Sequence, residues 1–153
     1  MPRSAAVDID PFGLNLMAMN STPDSARPGP RAGFLLAASM TVTFALLRIA
    51  LTRSPNSDFD VLGHNIHHLF TGVLIVVASA IPIATGVRSP RVLGGLTALL
   101  GVGLGLVLDE WVYLIVTDGS NASYLLPESL IGGVILVTVA SVYAISLSIF
   151  RSR

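Results

Sequence analysis

The chain has 153 residues, 52% of them hydrophobic and 12% charged, with a formal net charge of zero, and its mean hydropathy is +0.75. An ordinary soluble domain carries about a quarter charged residues, so this composition excludes a soluble enzyme, a disordered chain and a nucleic-acid binder and leaves a small polytopic membrane protein. Cys is absent, which removes disulfides, thiolate metal sites and cysteine catalysis, and all nine basic residues are Arg.

Residues 1–31 carry Pro2, Pro11, Pro23, Pro28 and Pro30 among scattered charges. They read as a flexible cytoplasmic tail without the basic, apolar, small-residue pattern of a cleaved signal peptide. Residues 32–153 read as the transmembrane domain. Gly33 to Thr52 holds a single charge, Arg48, and Leu69 to Val87 holds none. Val92 to Thr117 is broken only by Asp109 and Glu110, and Ser129 to Phe150 is again free of charge. Each block reaches the length of about 20 mostly apolar residues that a spanning helix needs, and lipid offers no partner for open backbone groups. Four helices are therefore predicted, over 33–52, 64–87, 92–117 and 127–150. The links contain turn formers: Ser54-Pro55-Asn56-Ser57, Arg88-Ser89-Pro90-Arg91 and Asp118-Gly119-Ser120-Asn121. Pro127 suits the first turn of the last helix. Short links favour an all-α, up-down-up-down transmembrane four-helix bundle.

Charge sets the expected orientation. Arg3, Arg27, Arg31, Arg88, Arg91, Arg151 and Arg153 fall on one side of this arrangement, and only Arg48 and Arg53 lie towards the other. Positive residues stay cytoplasmic, so both termini are expected inside. The use of Arg without Lys fits a GC-rich genome, and the expected location is a prokaryotic plasma membrane.

Ionisable groups at membrane depth are costly and mark function. Arg48 lies four residues before Thr52, about 6 Å from the outer end of the first helix. The outer end of the second carries all three histidines, His64, His67 and His68. On the third, Asp109 and Glu110 sit about 12 Å before Thr117. Tyr124, Pro127, Glu128 and Ser129 stand at the mouth of the fourth. Three separate stretches thus place Arg, His and carboxylate at one level of the outer leaflet. His64 and His68, four apart, are expected to share a helix face. Gly101, Gly105 and Asp109 follow at intervals of four, and such small residues let a neighbouring helix approach the Asp109 face. Gly132-Gly133 offers a second close contact, and these glycine-rich faces are also candidate homo-oligomer contacts.

Neutral imidazole and carboxylate oxygen are ligand types for zinc, iron and manganese. His64, His67, His68, Asp109 and Glu110 are the candidate metal ligands. Arg48, Tyr113 and Glu128 are the candidate supporting or substrate-facing groups. A metal with an open position activates water, or oxygen if it is iron, and a membrane lipid or similar amphiphile is the substrate class that the location suits. The alternative is a non-catalytic bundle in which Arg48 pairs with the acids and the cluster only fixes helix packing. A proton path is opposed by the inner half, which has almost no ionisable group. Haem fits poorly because all the histidines lie on one predicted helix. Trp111, Tyr113 and Tyr124 also suit interface anchors, and Asn121-Ala122-Ser123 matches a glycosylation sequon.

His64-x-x-His67-His68-Leu69-Phe70-x-Gly72 together with Gly101-x-Gly103-x-Gly105-Leu106-x-x-Asp109-Glu110 resembles small four-span integral membrane proteins of bacteria and archaea. In that group a His-His-Leu-x-x-Gly helix precedes a glycine-rich helix ending in Asp-Glu. The likeness covers residues 61–117 and implies no particular reaction. His-x-x-His-His is also similar to one histidine box of membrane desaturases and hydroxylases, which use several boxes where this chain has one. A looser likeness joins it to intramembrane ceramidase-like hydrolases, which combine His and Asp around zinc.

Overall fold

The computed structural model describes residues 30–54, 60–61, 64–65 and 67–151; most of the expected tail lies outside them. Helix α1 is Pro30–Arg53, α2 is His68–Ala84, α3 is Pro90–Val116 and α5 is Pro127–Arg151, with a one-turn α4 at Asn121–Tyr124. Two-residue strands β1 (Asp60–Val61) and β2 (His64–Asn65) form a short antiparallel ladder before α2. Proline opens α1, α3 and α5, at a position where its missing N–H has no intrahelical partner to lose. After α2, Gly86 adopts φ 86°, and its N–H donates to the Ile83 carbonyl. That left-handed geometry suits glycine and turns the chain towards α3.

The chain is an all-helical bundle in which α1, α3 and α5 are long and apolar enough to cross a membrane. The second helix departs from expectation. It has 17 residues, about 26 Å at the α-helical rise, and begins at His68 rather than His64. His64 instead pairs its backbone with Val61 in the ladder, and His67 is the non-helical N-cap residue that precedes the helix. His64 and His68 therefore do not share a helix face. The polar run before Leu69 lacks the continuous apolar character that sustains the helix after it.

Residue contacts fix how the helices run. Gly33, near the start of α1, lies against Ala144 and Ser148 near the end of α5, and Gly132 on α5 lies against Val112 on α3. Gly101 and Gly105 on α3 lie against Leu36, Ser39, Met40 and Thr43 of α1, while Gly103 lies against Gly72 and Val76 of α2. Thus α1 and α3 run together, and α2 and α5 run the other way. Helix α3 is the hub, packed on α1, α2 and α5. Although α2 is shorter than the rest, it must traverse the bundle, because α1 ends and α3 begins at opposite ends.

The inner seam is thin. Met40, Phe44 and Val137 form its buried core, flanked by Leu104, Leu108 and Ala140. Most large apolar side chains face outward, with Leu74 and Phe150 each 71% exposed. In water such a surface would aggregate; around membrane-crossing helices it is the lipid-facing surface.

Candidate functional site at one end of the bundle

The glycines of α3 explain how its two acids are used. Gly101 and Gly105 face α1, and Asp109 continues that row at the same four-residue spacing. Gly103 faces α2, and Glu110, seven residues later, returns to nearly the same angle. A Cβ on Gly103 would stand 2.9 Å from the Gly72 carbonyl oxygen, and one on Gly105 would stand 2.7 Å from that of Met40. Close approach on both sides brings α1 to Asp109 and α2 to Glu110. Both carboxylates are buried, at 0% and 1% exposure.

Arg48 arrives from α1. Its Nε donates to Asp109 Oδ1 at 2.5 Å, Nη1 to the Tyr124 carbonyl at 3.0 Å, and Nη2 to Ser129 Oγ at 3.1 Å, the Asp109 carbonyl at 3.2 Å and the Ser129 carbonyl at 3.3 Å. One guanidinium thereby ties α1 to α3, α4 and α5. Its Cζ also lies 4.1 Å from the centroid of the Tyr124 ring, a cation–π contact.

The histidines arrive from the start of α2. His68 Nε2 lies 3.1 Å from Asp109 Oδ2 and 3.5 Å from Glu110 Oε2, and His67 Nδ1 contacts Glu110 Oε1. The Leu69 N–H donates to Glu110 Oε2 at 2.7 Å. It is one of the amides that a helix N-terminus leaves without an intrahelical acceptor, which favours an anion there. The cluster contains two carboxylates and one guanidinium, so with neutral imidazoles it carries one surplus negative charge.

Tyr124 and Ser129 complete the site in roles that sequence reasoning missed. Tyr124, read as an interface anchor, is 6% exposed, and its hydroxyl donates to Asp109 Oδ2. Burial and the neighbouring Asp109 charge hold this phenol above its usual range, so it stays a donor. Ser129 is fully buried and accepts from Arg48. Nothing in the run from Asp118 to Ser129 signals either role: Tyr124 is placed by the single turn of α4 and Ser129 by the first turn of α5. Tyr113, expected as a supporting group, is buried and packs edge-on to Tyr124 at 5.2 Å between centroids. Trp111 is 52% exposed, as suits an anchor.

The structure thus brings together Arg48, His67, His68, Asp109, Glu110 and Tyr113. The His64 side chain lies outside the described part of the structure. Glu128 is exposed in the first turn of α5, and among the described residues no hydrogen bond or ion pair joins it to the cluster. Among the described residues, no group of three or more His, Asp and Glu side chains is arranged to hold a metal ion. The four His and acid side chains instead bond directly to one another, and among the described residues every buried side-chain nitrogen and oxygen has a partner.

No family model, no curated protein and no solved structure matches this chain. The functional reading therefore stands on the chemistry of the cluster.

Proposed function

We propose that this membrane protein binds a divalent transition metal (zinc, iron or manganese) through His67, His68, Asp109 and Glu110, with His64 as a further candidate. The observation that carries the reading is the position of His68 Nε2, 3.1 Å from one carboxylate oxygen and 3.5 Å from another. Two donor atoms on one tetrahedral ion with bonds of about 2.0–2.1 Å stand about 3.3 Å apart. The donor set suits a dication. In the described arrangement the imidazoles and carboxylates bond to one another, so metal binding exchanges those hydrogen bonds for metal–ligand bonds and releases protons. Arg48 and Tyr124 hold Asp109 in place, as groups behind a ligand do.

The arginine distribution supports placing this end at the outer leaflet of a prokaryotic plasma membrane with both termini inside. The paired motifs support grouping the chain with the small bacterial and archaeal membrane proteins that it resembles. When bound, a metal with an open position supplies an activated water or a Lewis acid. A metal-dependent membrane enzyme acting on a lipid-like substrate is the extension of this reading.

A second reading has its own support. The complete hydrogen bonding of the cluster suits a packing network in a non-catalytic bundle. Elemental analysis of detergent-purified protein separates the two. Stoichiometric metal that disappears in a His68→Ala, Asp109→Ala double variant supports the metal site. Absence of metal from the wild type after incubation with zinc, iron and manganese leaves the packing network.

A further inference from the structure

Beside the cluster, the end of α1 and the start of α5 leave a cleft of about 450 Å³, lined by Arg48, Ile49, Thr52, Arg53, Leu125 and Leu130. Its volume falls within the range of about 300–1,000 Å³ typical of small-molecule sites. On α1 the four lining residues occupy one stripe, spaced i, i+1, i+4 and i+5. The other wall is the apolar pair Leu125 and Leu130. No acidic side chain lines the cleft among the described residues.

The lining has two chemical halves. Ile49, Leu125 and Leu130 are 48%, 44% and 44% exposed, so they form an apolar wall open to lipid. Arg53 closes the last turn of α1 and is exposed. Arg48 is held rigidly by Asp109, Tyr124 and Ser129. A guanidinium has two N–H groups on each terminal nitrogen, and among the described residues Nη1 has one acceptor, the Tyr124 carbonyl. The cleft therefore offers the exposed guanidinium of Arg53, an edge of the Asp109-paired Arg48 and an apolar wall at the end of a membrane-crossing helix, where lipid headgroups sit.

We propose that this cleft binds a lipid with an anionic phosphate headgroup, the phosphate against Arg53 and the outer edge of Arg48, the acyl chain along Ile49, Leu125 and Leu130. Arginine suits the phosphate because its planar fork matches two phosphate oxygens. The proposal deepens the lipid-substrate part of the preceding reading and rests on it for placing this end of the bundle at the membrane surface. It does not require the metal. The charge of Arg48 is paired with Asp109, so Arg53 supplies the net attraction for the phosphate.

The test uses the full chain in dodecyl maltoside with EDTA, so that it stands whether or not a metal binds. Native mass spectrometry follows titration with dioctanoylphosphatidylglycerol or dioctanoylphosphatidylcholine, and equilibrium dialysis follows inorganic phosphate. One phosphatidylglycerol per protein is expected, with phosphatidylcholine and inorganic phosphate each bound more weakly. Arg53→Gln, at an exposed position, is expected to lower phosphatidylglycerol affinity about five-fold, the factor one basic residue contributes near an anionic surface. Leu130→Trp, which fills the cleft from a half-exposed position, is expected to abolish the first binding event. Circular dichroism and elution volume verify that both variants fold. Equal binding of the two lipids, binding of inorganic phosphate as tight as that of the lipid, or wild-type binding by both folded variants would overturn the proposal.

Discussion

Replacing Arg48 with Met keeps most of the side-chain length and removes the charge. The structure predicts a loss well beyond that of an ordinary interhelical contact. Arg48 donates to acceptors on three other elements, and its removal leaves Asp109, at 0% exposure, without its cationic partner. An interhelical hydrogen bond in a membrane bundle contributes about 0.6 kcal/mol on average. Removing one member of a buried ion pair costs about 3–5 kcal/mol, because the other charge is left uncompensated. The predicted loss for Arg48→Met is therefore about 3–5 kcal/mol, two to nearly four powers of ten in the unfolding constant at about 1.4 kcal/mol per ten-fold. Unfolding in mixed micelles of SDS and dodecyl maltoside, followed by circular dichroism, measures it. Adding Asp109→Asn removes the stranded charge and should return the protein to within about 1–2 kcal/mol of the wild type. If Arg48→Met cost less than about 1 kcal/mol, or if Asp109→Asn failed to rescue it, the pair would not be the clasp described here.

Other expectations follow from the same geometry. Gly103→Val puts a Cβ 2.9 Å from the Gly72 carbonyl and should cost about 1–3 kcal/mol through overpacking, read as a lower melting temperature in detergent. Gly94→Ala meets nothing within 4 Å and should be neutral or stabilising by up to about 1 kcal/mol from helix propensity. Tyr124→Phe removes a donor from a buried carboxylate and should cost about 1–3 kcal/mol in the micelle unfolding assay. Asp118 lies in the loop after α3, where the backbone N–H of Ser120, with serine hydroxyls, lowers its carboxyl from 3.8 to about 2. Its contribution is thus full above the ordinary carboxylate range and is lost as pH falls through about 2. Carbon-13 NMR titration should find that midpoint, and Ser120→Ala should raise it.

Much of this arrangement is legible in the residues themselves. Uninterrupted apolar runs specify the helices, because lipid leaves the backbone no other way to pair, and Pro127 marks the start of α5 correctly. The meeting of Arg48, His67, His68, Asp109 and Glu110 follows from placing each by depth along alternating helices. What is not legible depends on tertiary detail. A helix extended back to His64 would align His64 with His68, yet His64 and Asn65 pair with β1, so a four-residue spacing there does not mean a shared face. Adjacent acids on one helix point about 100° apart. Glycines 101, 103 and 105 alternate between two neighbours, so both acids are buried, one towards each. Tyr124 and Ser129 could not be assigned to the site because the path of the chain over the bundle end is set by packing.

We propose above that imidazoles from the start of α2 and carboxylates of α3 share one metal ion. X-ray absorption at the zinc edge of purified, zinc-loaded protein decides between a shared ion and a hydrogen-bonded cluster. A single tightly held zinc is expected, with nitrogen and oxygen ligands at about 2.0–2.1 Å, an imidazole signature in the scattering, and loss of part of that signature in His68→Ala. Zinc that washes away on dialysis, or a hydrated spectrum identical in wild type and His68→Ala, would contradict it.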